Sequence, residues 1–324
     1  MTYKKLALAL GLIGFSLTAQ AAFPEKAVTL VVPFAAGGPS DKIARDVAEA
    51  LRAPLGQAVI VENTPGAGGT IGTAKVARAT PDGYTLLVHH IGMATAPSLY
   101  KQLSYEVPDG FEFLGLINEA PSTLIARPTL AANNFDELSK WINENKDKVN
   151  LAHAGVGSAS HLCGLMLQNA LKVNMTTVAY KGTAPAMIDL MGGQVDLMCE
   201  QATNAVTQIE AQKVKSYGVT STQRLKLPSM AAVPTLAESG LTGFNVTVWH
   251  GLYAPRNTPP EVVAKLNTAL RAALKNPELI QREEALGLTI VNDERLDPAG
   301  HKKYVTGEMA RWSKVISDSG QQPN

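Results

Sequence analysis

The chain has 324 residues, with 29 Lys or Arg against 28 Asp or Glu, so its net charge at pH 7 is only +1. A near-neutral chain without a basic block lacks the concentrated positive charge of a protein that binds nucleic acid or an anionic membrane surface. Its length and its 45% hydrophobic content are enough for two domains with full cores.

The first 21 residues have the pattern of a secretory signal peptide. Lys4 and Lys5 form a short basic region, Leu6–Thr18 is almost entirely apolar, and Ala19–Ala21 is a small-x-small cleavage signal. The apolar run is shorter than the ~20 residues that a membrane-spanning helix needs. We therefore expect residues 1–21 to be removed and the mature protein to reside in the periplasm.

Strand-like and helix-like segments alternate along the rest of the chain. Ile43, Val47 and Leu51, for example, recur every four residues, as on one face of a helix. This alternation predicts parallel sheets with helices on their faces. The predicted strands cover 28–32, 59–61, 84–88, 124–126, 149–151, 177–180, 195–199, 216–220 and 246–253. The predicted helices include one through Ile43–Leu51, one from about Thr70, and those over 135–145, 160–171, 184–191, 261–274, 277–286 and 298–317.

Three loops share one design, in which a strand is followed by glycines and then by a hydroxyl or acidic residue that opens a helix. They cover Ala35–Asp41, Pro65–Thr70 and Gly155–His161. Glycine allows close approach of the backbone, and the helix behind each loop presents unpaired N–H groups and a positive dipole end. Such loops form anion sites without charged side chains, so the sequence favours binding of a small organic anion.

Other chemistries fit the same residues less well. The segment Gly66–Gly72 has one residue too many for a G-x-G-x-x-G dinucleotide loop, and no acid occurs over 83–102, so we expect no nucleotide cofactor. A secreted hydrolase could use Ser158 or Ser160 with His161, but the G-x-S-x-G nucleophile elbow is absent.

Histidines and cysteines leave two further questions. His89 and His90 are adjacent at a strand end, so their side chains point to opposite faces and at most one faces a cleft. We predict one ligand-facing histidine in this pair and no metal site. Cys163 and Cys199 either form a disulfide, as an oxidising compartment allows, or remain two buried thiols.

A set of ordered motifs resembles one known family, the periplasmic receptors of tripartite tricarboxylate transporters, often called the Bug family. The resemblance runs over essentially the whole mature sequence. The motifs are VPFAAGGPSDKIAR at 32–45, VENTPGAGGTIG at 61–72, PDGYTLL at 81–87, GVGSASHL at 155–162, YKGTAP at 180–185, GGQVDLM at 192–198 and VPTLAESG at 233–240.

The resemblance implies an α/β, two-lobed periplasmic-binding-protein (Venus flytrap) fold, in which each lobe is a sheet with helices on both faces. Lobe one would combine 22–120 with 247–324, and lobe two would be 121–246. The implied protein is a monomer, without enzymatic activity or cofactor, that captures a small carboxylate and delivers it to membrane permease subunits. A receptor that docks on a sensor kinase would have the same pocket and remains an alternative.

The resemblance also implies which residues contact the ligand. The first loop would hold a carboxylate, often through ordered water, and the helix after the third loop would hold it from the other lobe. Asp41 would cap its helix or hold water, and Pro39 removes one backbone donor from the first loop. At the third strand end the family commonly has small hydroxyl residues, so an imidazole here favours a dicarboxylate, which could be aromatic. The predicted contacts are Ala36, Gly37, Gly38, Ser40, Asp41, His89, His90, Gly157, Ser158, Ser160 and His161.

Overall fold

The structure is a computed structural model that describes residues 23–323, and the predicted signal peptide lies outside this range. The described chain alternates strands with helices, as the sequence predicts. The strands are β1 (Val28–Val32), β2 (Val59–Asn63), β3 (Thr85–His90), β4 (Phe111–Ala126), β5 (Asn150–His153), β6 (Thr176–Ala179), β7 (Leu197–Gln201), β8 (Lys215–Val219), β9 (Thr247–Pro255) and β10 (Thr289–Ile290). The helices are α1 (Pro39–Leu55), α2 (Thr70–Ala77), α3 (Gly92–Leu99), α4 (Phe135–Asn145), α5 (Ala159–Leu171), α6 (Thr183–Met191), α7 (Ala202–Glu210), α8 (Pro260–Ala273), α9 (Pro277–Ala285) and α10 (Pro298–Asp318).

The strands form two sheet regions, which correspond to two lobes. The first contains β2, β1 and β3 in parallel, followed by β9, the first part of β4, and β10. The second contains the last part of β4 with β7, β8, β5 and β6. The prediction of parallel sheets is therefore confirmed only in part, because β9 is antiparallel to both β3 and β4.

The elements that the sequence predicts best have strong local signals. Helix α1 begins with Pro39, which suits the first helical position because its missing N–H would have no partner there. Ile43, Val47 and Leu51 are at most 1% exposed, and their face of α1 packs on β1 and β2. This burial confirms the helix that the four-residue spacing predicts.

The sequence does not predict α3, α7 or β10, and it misses most of the longest strand, β4. β4 pairs with β9 up to Pro121 and with β7 from Ser122 onward, so one continuous strand belongs to both lobes. Gly115 and Pro121 argue against a strand in the sequence, but the chain accommodates Gly115 at a break in the pairing register, with φ at +138°. Only the final residues of β4 had been predicted as strand.

The chain passes from the first lobe to the second within β4, near Ser122, and returns to the first lobe near Val246, beside that crossing. The Ser122 N–H donates to the Thr220 hydroxyl at 3.0 Å, and that hydroxyl donates to the Val246 carbonyl at 2.6 Å. The two crossings between the lobes are therefore joined by a few hydrogen bonds, which suits a hinge.

Among residues 23–323, none of the helices combines the length and the apolar character of a membrane span.

A disulfide joins Cys163 on α5 to Cys199 on β7, which answers the question that the sequence left open. Both residues are only 1% exposed. The bond therefore fixes the first turns of α5 to the strand beside it, within a single lobe.

We predict that the double variant Cys163→Ala/Cys199→Ala melts several degrees lower than the wild type. The closed loop spans 36 residues, and losing such a constraint on the unfolded chain costs about 3–4 kcal/mol of stability. Differential scanning calorimetry of the oxidised protein and the variant measures this. Equal melting temperatures would show that the bond does not constrain the unfolded chain.

Candidate functional site

The first glycine loop leads into α1 without a side-chain cap. Gly37 has φ at +81°, a conformation that favours glycine, and Gly38 is the cap residue but offers no side chain to the first N–H groups. Ser40 and Asp41 follow in the first turn and are both buried. The start of α1 therefore has backbone donors available for another acceptor.

Asp41 supports this loop and does not face the ligand cavity. Its carboxylate accepts from the Gly37 N–H at 2.8 Å, from Asn63 at 3.0 Å and from the Arg45 guanidinium at 2.9–3.0 Å. Burial raises the pKa of Asp41, but these hydrogen bonds outweigh burial and hold the pKa below its ordinary value. A charged Asp41 thus fixes the Gly37 backbone in place.

Helix α5 begins at the opposite wall, on the second lobe. The Ser158 hydroxyl oxygen caps the helix by accepting the His161 backbone N–H at 3.3 Å, and Ser160 Oγ accepts the Ala154 N–H at 2.9 Å. The two hydroxyl oxygens are 3.1 Å apart. Since each oxygen already accepts a backbone N–H, one hydroxyl proton can bridge the pair while the other points at a ligand.

Two further helices begin at the same place. Thr183 is the first residue of α6, and Gln201 is the cap residue of α7, again without a side-chain cap. Together with α1 and α5, four helix N-termini surround one partly open cavity, with about 380 Å³ of atom-free space when the open solvent at its mouth is included. The lining contains no Lys or Arg. The lining residues are Phe34, Gly38, Pro39, Ser40, His90, Ser122, Ala154, Ser158, Ala159, Ser160, Thr183, Cys199, Glu200 and Gln201.

The predicted contacts divide into two groups. Five of them line this cavity: Gly38, Ser40, His90, Ser158 and Ser160. The others lie behind or beside the lining: Ala36, Gly37, Asp41, His89, Gly157 and His161.

His161 does not line the cavity, so its contact with a ligand stays a prediction. Its Nδ1 accepts the Gly157 N–H at 3.3 Å, and its ring packs 4.8 Å from that of His153. It lines a separate surface depression near Gln168. Neither Ser158 nor Ser160 hydrogen bonds to an imidazole among the described residues, so the geometry gives no support to a serine hydrolase.

The two adjacent histidines take different positions. His90 lines the cavity and stacks on Phe34 with 4.5 Å between ring centres, whereas His89 packs behind them. Burial lowers the pKa of His90 to about 3, so its ring is neutral at physiological pH. Because His90 Nδ1 accepts the Gly92 N–H at 2.8 Å, the ring proton is on Nε2, which can donate to a ligand.

A buried chain of hydrogen bonds sets the direction of the Ser40 hydroxyl. Asn118 Nδ2 donates to Glu283 at 2.6 Å, so Asn118 Oδ1 accepts from His250 Nδ1 at 2.9 Å. The neutral His250 ring then has a free lone pair on Nε2, which accepts the Ser40 hydroxyl at 3.2 Å. Ser40 therefore turns only lone pairs toward the cavity, where they can accept from a ligand hydroxyl or a water.

Sequence reasoning missed several lining residues, above all Phe34, Ser122, Thr183, Glu200 and Gln201. Glu200 and Gln201 end β7, and ligands of open α/β sheets bind at the carboxyl ends of strands. That rule is the signal by which the sequence could have indicated these two residues.

The cleft around the cavity is closed, mainly through backbone contacts. The Ala35 N–H donates to the Lys181 carbonyl at 3.3 Å, and Tyr100 Oη lies 2.7 Å from the Val156 carbonyl oxygen. Gly68 approaches the same carbonyl so closely that an added Cβ would lie 1.7 Å from its oxygen. Only glycine at position 68 permits this degree of closure.

Two lobes around a closed cleft, with helix N-termini at the ligand cavity, define a periplasmic binding protein. The family model described as tripartite tricarboxylate transporter family receptor matches residues 43–321, and the chain belongs to that family, whose members are periplasmic solute receptors.

Solved structures agree with this assignment. The periplasmic binding protein BugD is 49% identical, with a TM-score of 0.91 over 93% of this chain and 100% of BugD. MatC from Rhodopseudomonas palustris, solved with bound malate, is 41% identical, with a TM-score of 0.86 over 91% of this chain and 100% of MatC. The R. palustris protein Rpa4515, solved with adipate, is 29% identical, with a TM-score of 0.88 over 93% of this chain and 100% of that protein.

We predict that Gly68→Ala weakens ligand binding at least tenfold, because its methyl group would collide with the Val156 carbonyl and hold the lobes apart. Gly56→Ala is the matched control, since Gly56 has φ at +68°, close to the +61° of Gly68, but has no atom within 4 Å of an added Cβ. Both variants should lose similar stability through backbone strain. Small-angle scattering should show ligand-induced compaction in the control alone, and equal compaction in both variants would contradict the role of Gly68.

Proposed function

We propose that this protein is an exported, monomeric receptor that captures a small dicarboxylate in the cavity and delivers it to the membrane subunits of a tripartite tricarboxylate-type transporter. The observation that carries this proposal is the convergence of four helix N-termini on a cavity whose lining has no Lys or Arg. Backbone N–H groups and helix dipoles bind anions at such positions.

The distribution of donors supports a ligand with two anionic ends. One wall comes from α1 and β3, whose donors are the backbone N–H groups of the first turn of α1 and the His90 ring, and the other comes from α5, α6 and β7. A ligand that touches both walls stabilises the closed form by its differential affinity for that form. The binding of malate and adipate by two structural relatives also favours a dicarboxylate.

The shape of one wall bears on the ligand's carbon skeleton. Phe34 and His90 stack with an interplanar angle of 29° and present a flat surface to the cavity. Such a surface accepts a planar acid, so aromatic dicarboxylates belong in any ligand screen. The lobes that enclose the ligand would be 22–120 with 247–324, and 121–246.

A thermal-shift screen of residues 22–324 tests the proposal. The panel should include malate, succinate, adipate, terephthalate, citrate and acetate, with glucose and putrescine as uncharged and cationic comparisons. A ligand at a hundredfold excess over its Kd adds about 2.7 kcal/mol of stability, which raises the melting temperature by several degrees. Stabilisation by sugars or amines but by no carboxylate would refute the anion site.

We predict that Ser160→Ala weakens binding of the best acid in this panel by about 10- to 100-fold. The substitution removes a hydroxyl from the cavity wall, and a hydrogen bond to a charged group contributes about 1.5–3 kcal/mol. Isothermal titration calorimetry measures the change. Ser104→Ala, at an exposed position, is the control and should bind as the wild type does; a Ser160→Ala variant equal to it would remove Ser160 from the site.

The delivery step needs a separate experiment, because a receptor that signals to a kinase would have the same pocket. Deleting the gene should abolish uptake of the radiolabelled acid if the protein serves a transporter. Unchanged uptake with a lost transcriptional response would favour the sensing role.

A further inference from the structure

Three buried oxygens without hydrogen-bond partners lie together where β7 meets α7. They are Glu200 Oε1, Gln201 Oε1 and Thr203 Oγ1, and they account for most of the partnerless buried side-chain atoms found in residues 23–323. Glu200 is 2% exposed and Gln201 is 6% exposed, and both line the cavity. Since buried polar atoms normally have partners, this segment is built to bind something that enters the cavity.

The charge of Glu200 decides which ligand groups it can bind. A carboxylate ion at this position would repel an anionic ligand, whereas a neutral carboxylic acid can donate a hydrogen bond to it. No Lys, Arg or His of the described chain lies within ion-pair distance of Glu200. Burial raises the pKa of Glu200 to about 8, although the nearby Gln201 N–H, the Thr183 hydroxyl and the charge of Lys42 act in the opposite direction.

Few other titratable groups face this carboxyl group. Lys42 approaches from α1, and its ammonium group donates to Asn204 Oδ1 at 3.1 Å. His90 lines the cavity from β3 and is neutral. The remaining walls, from β4, α5 and α6, present hydroxyl groups that do not titrate in this range, those of Ser122, Ser158, Ser160 and Thr183.

We propose that Glu200 binds the ligand as a neutral carboxylic acid, donating a hydrogen bond from its buried carboxyl group to a ligand carboxylate, so that capture of the anion is coupled to uptake of a proton from solvent. This inference rests on the proposed function, because it requires an anionic ligand in the cavity. The bond is of the short O–H···O⁻ kind, which is stronger than a bond between two neutral groups.

The coupling between ligand binding and proton uptake predicts how affinity changes with pH. The bound ligand favours the protonated form, so it raises the pKa of Glu200 further and affinity is highest below the pKa of the free protein. With that pKa at about 8, affinity should change little below pH 7 and fall about tenfold between pH 7 and pH 9. Ordinary dicarboxylates are almost fully ionised between pH 7 and pH 9, so their own titration does not contribute to this decrease.

Titration calorimetry of the wild-type protein is the first test, with the dicarboxylate that gives the largest thermal shift in the panel above. At pH 8, comparison of buffers with different ionisation enthalpies should give an uptake of about half a proton per ligand bound. Binding without proton uptake would refute the role of Glu200 and leave the receptor function intact. Release of a proton would refute it as well, since the complex would then hold fewer protons than the free protein. Failure of every carboxylate to bind would refute the receptor function itself.

Glu200→Gln is the second test, because the amide has the shape of the acid, donates a hydrogen bond and does not titrate. The variant should bind up to about tenfold more weakly than the wild type at pH 7, because an amide N–H donates a weaker hydrogen bond than a carboxylic acid, and its affinity should not decrease between pH 7 and pH 9. Glu308→Gln is the control, since Glu308 is also buried but hydrogen bonds to the indoles of Trp249 and Trp312, outside the cavity lining. If the affinity of Glu200→Gln falls with pH as it does in the control variant, a group other than Glu200 takes up the proton. Loss of binding at pH 7 would show that the ligand needs a carboxylate ion at this position.

Discussion

The proposed receptor must hold an anion away from bulk water in a cavity that has no basic side chain in its lining, and helix N-termini are the means by which it can do so. Each helix start contributes about 0.3–1 kcal/mol through its dipole, and its free N–H groups add hydrogen bonds to the charged ligand. Because backbone groups occupy fixed positions, binding requires no ordering of long, flexible side chains. The arrangement therefore depends on four helices that begin at one place, beside the loops and strand ends that line the cavity.

The sequence predicted the parts of this arrangement that have local signals. The spacing of Ile43, Val47 and Leu51 specifies α1, and glycines followed by a hydroxyl residue specify the loops before α1 and α5. β4 was missed because Gly115 and Pro121 interrupt its pattern, although sheet pairing on both sides overrides their low strand propensity.

The candidate site was harder to predict because it is assembled from distant segments. Ser158 and Ser160 line the cavity, but each helical residue turns by about 100°, so the next residue, His161, points elsewhere. Glu200 lies in a strand with no unusual spacing, and its environment comes from Thr183 and Lys42 on other elements. The direction of the Ser40 hydroxyl likewise depends on His250, which is 210 residues away. No local pattern encodes these relations.

The closed cleft has a consequence for kinetics. Among the described residues, hydrogen bonds join its two sides, such as those of Ala35 with Lys181, Tyr100 with Val156 and Lys42 with Asn204. A bound ligand leaves only after these contacts open, so its dissociation rate cannot exceed the opening rate. A membrane partner that binds both lobes can accelerate release by favouring the open form. It need not contact the ligand or compete with it for the backbone N–H groups.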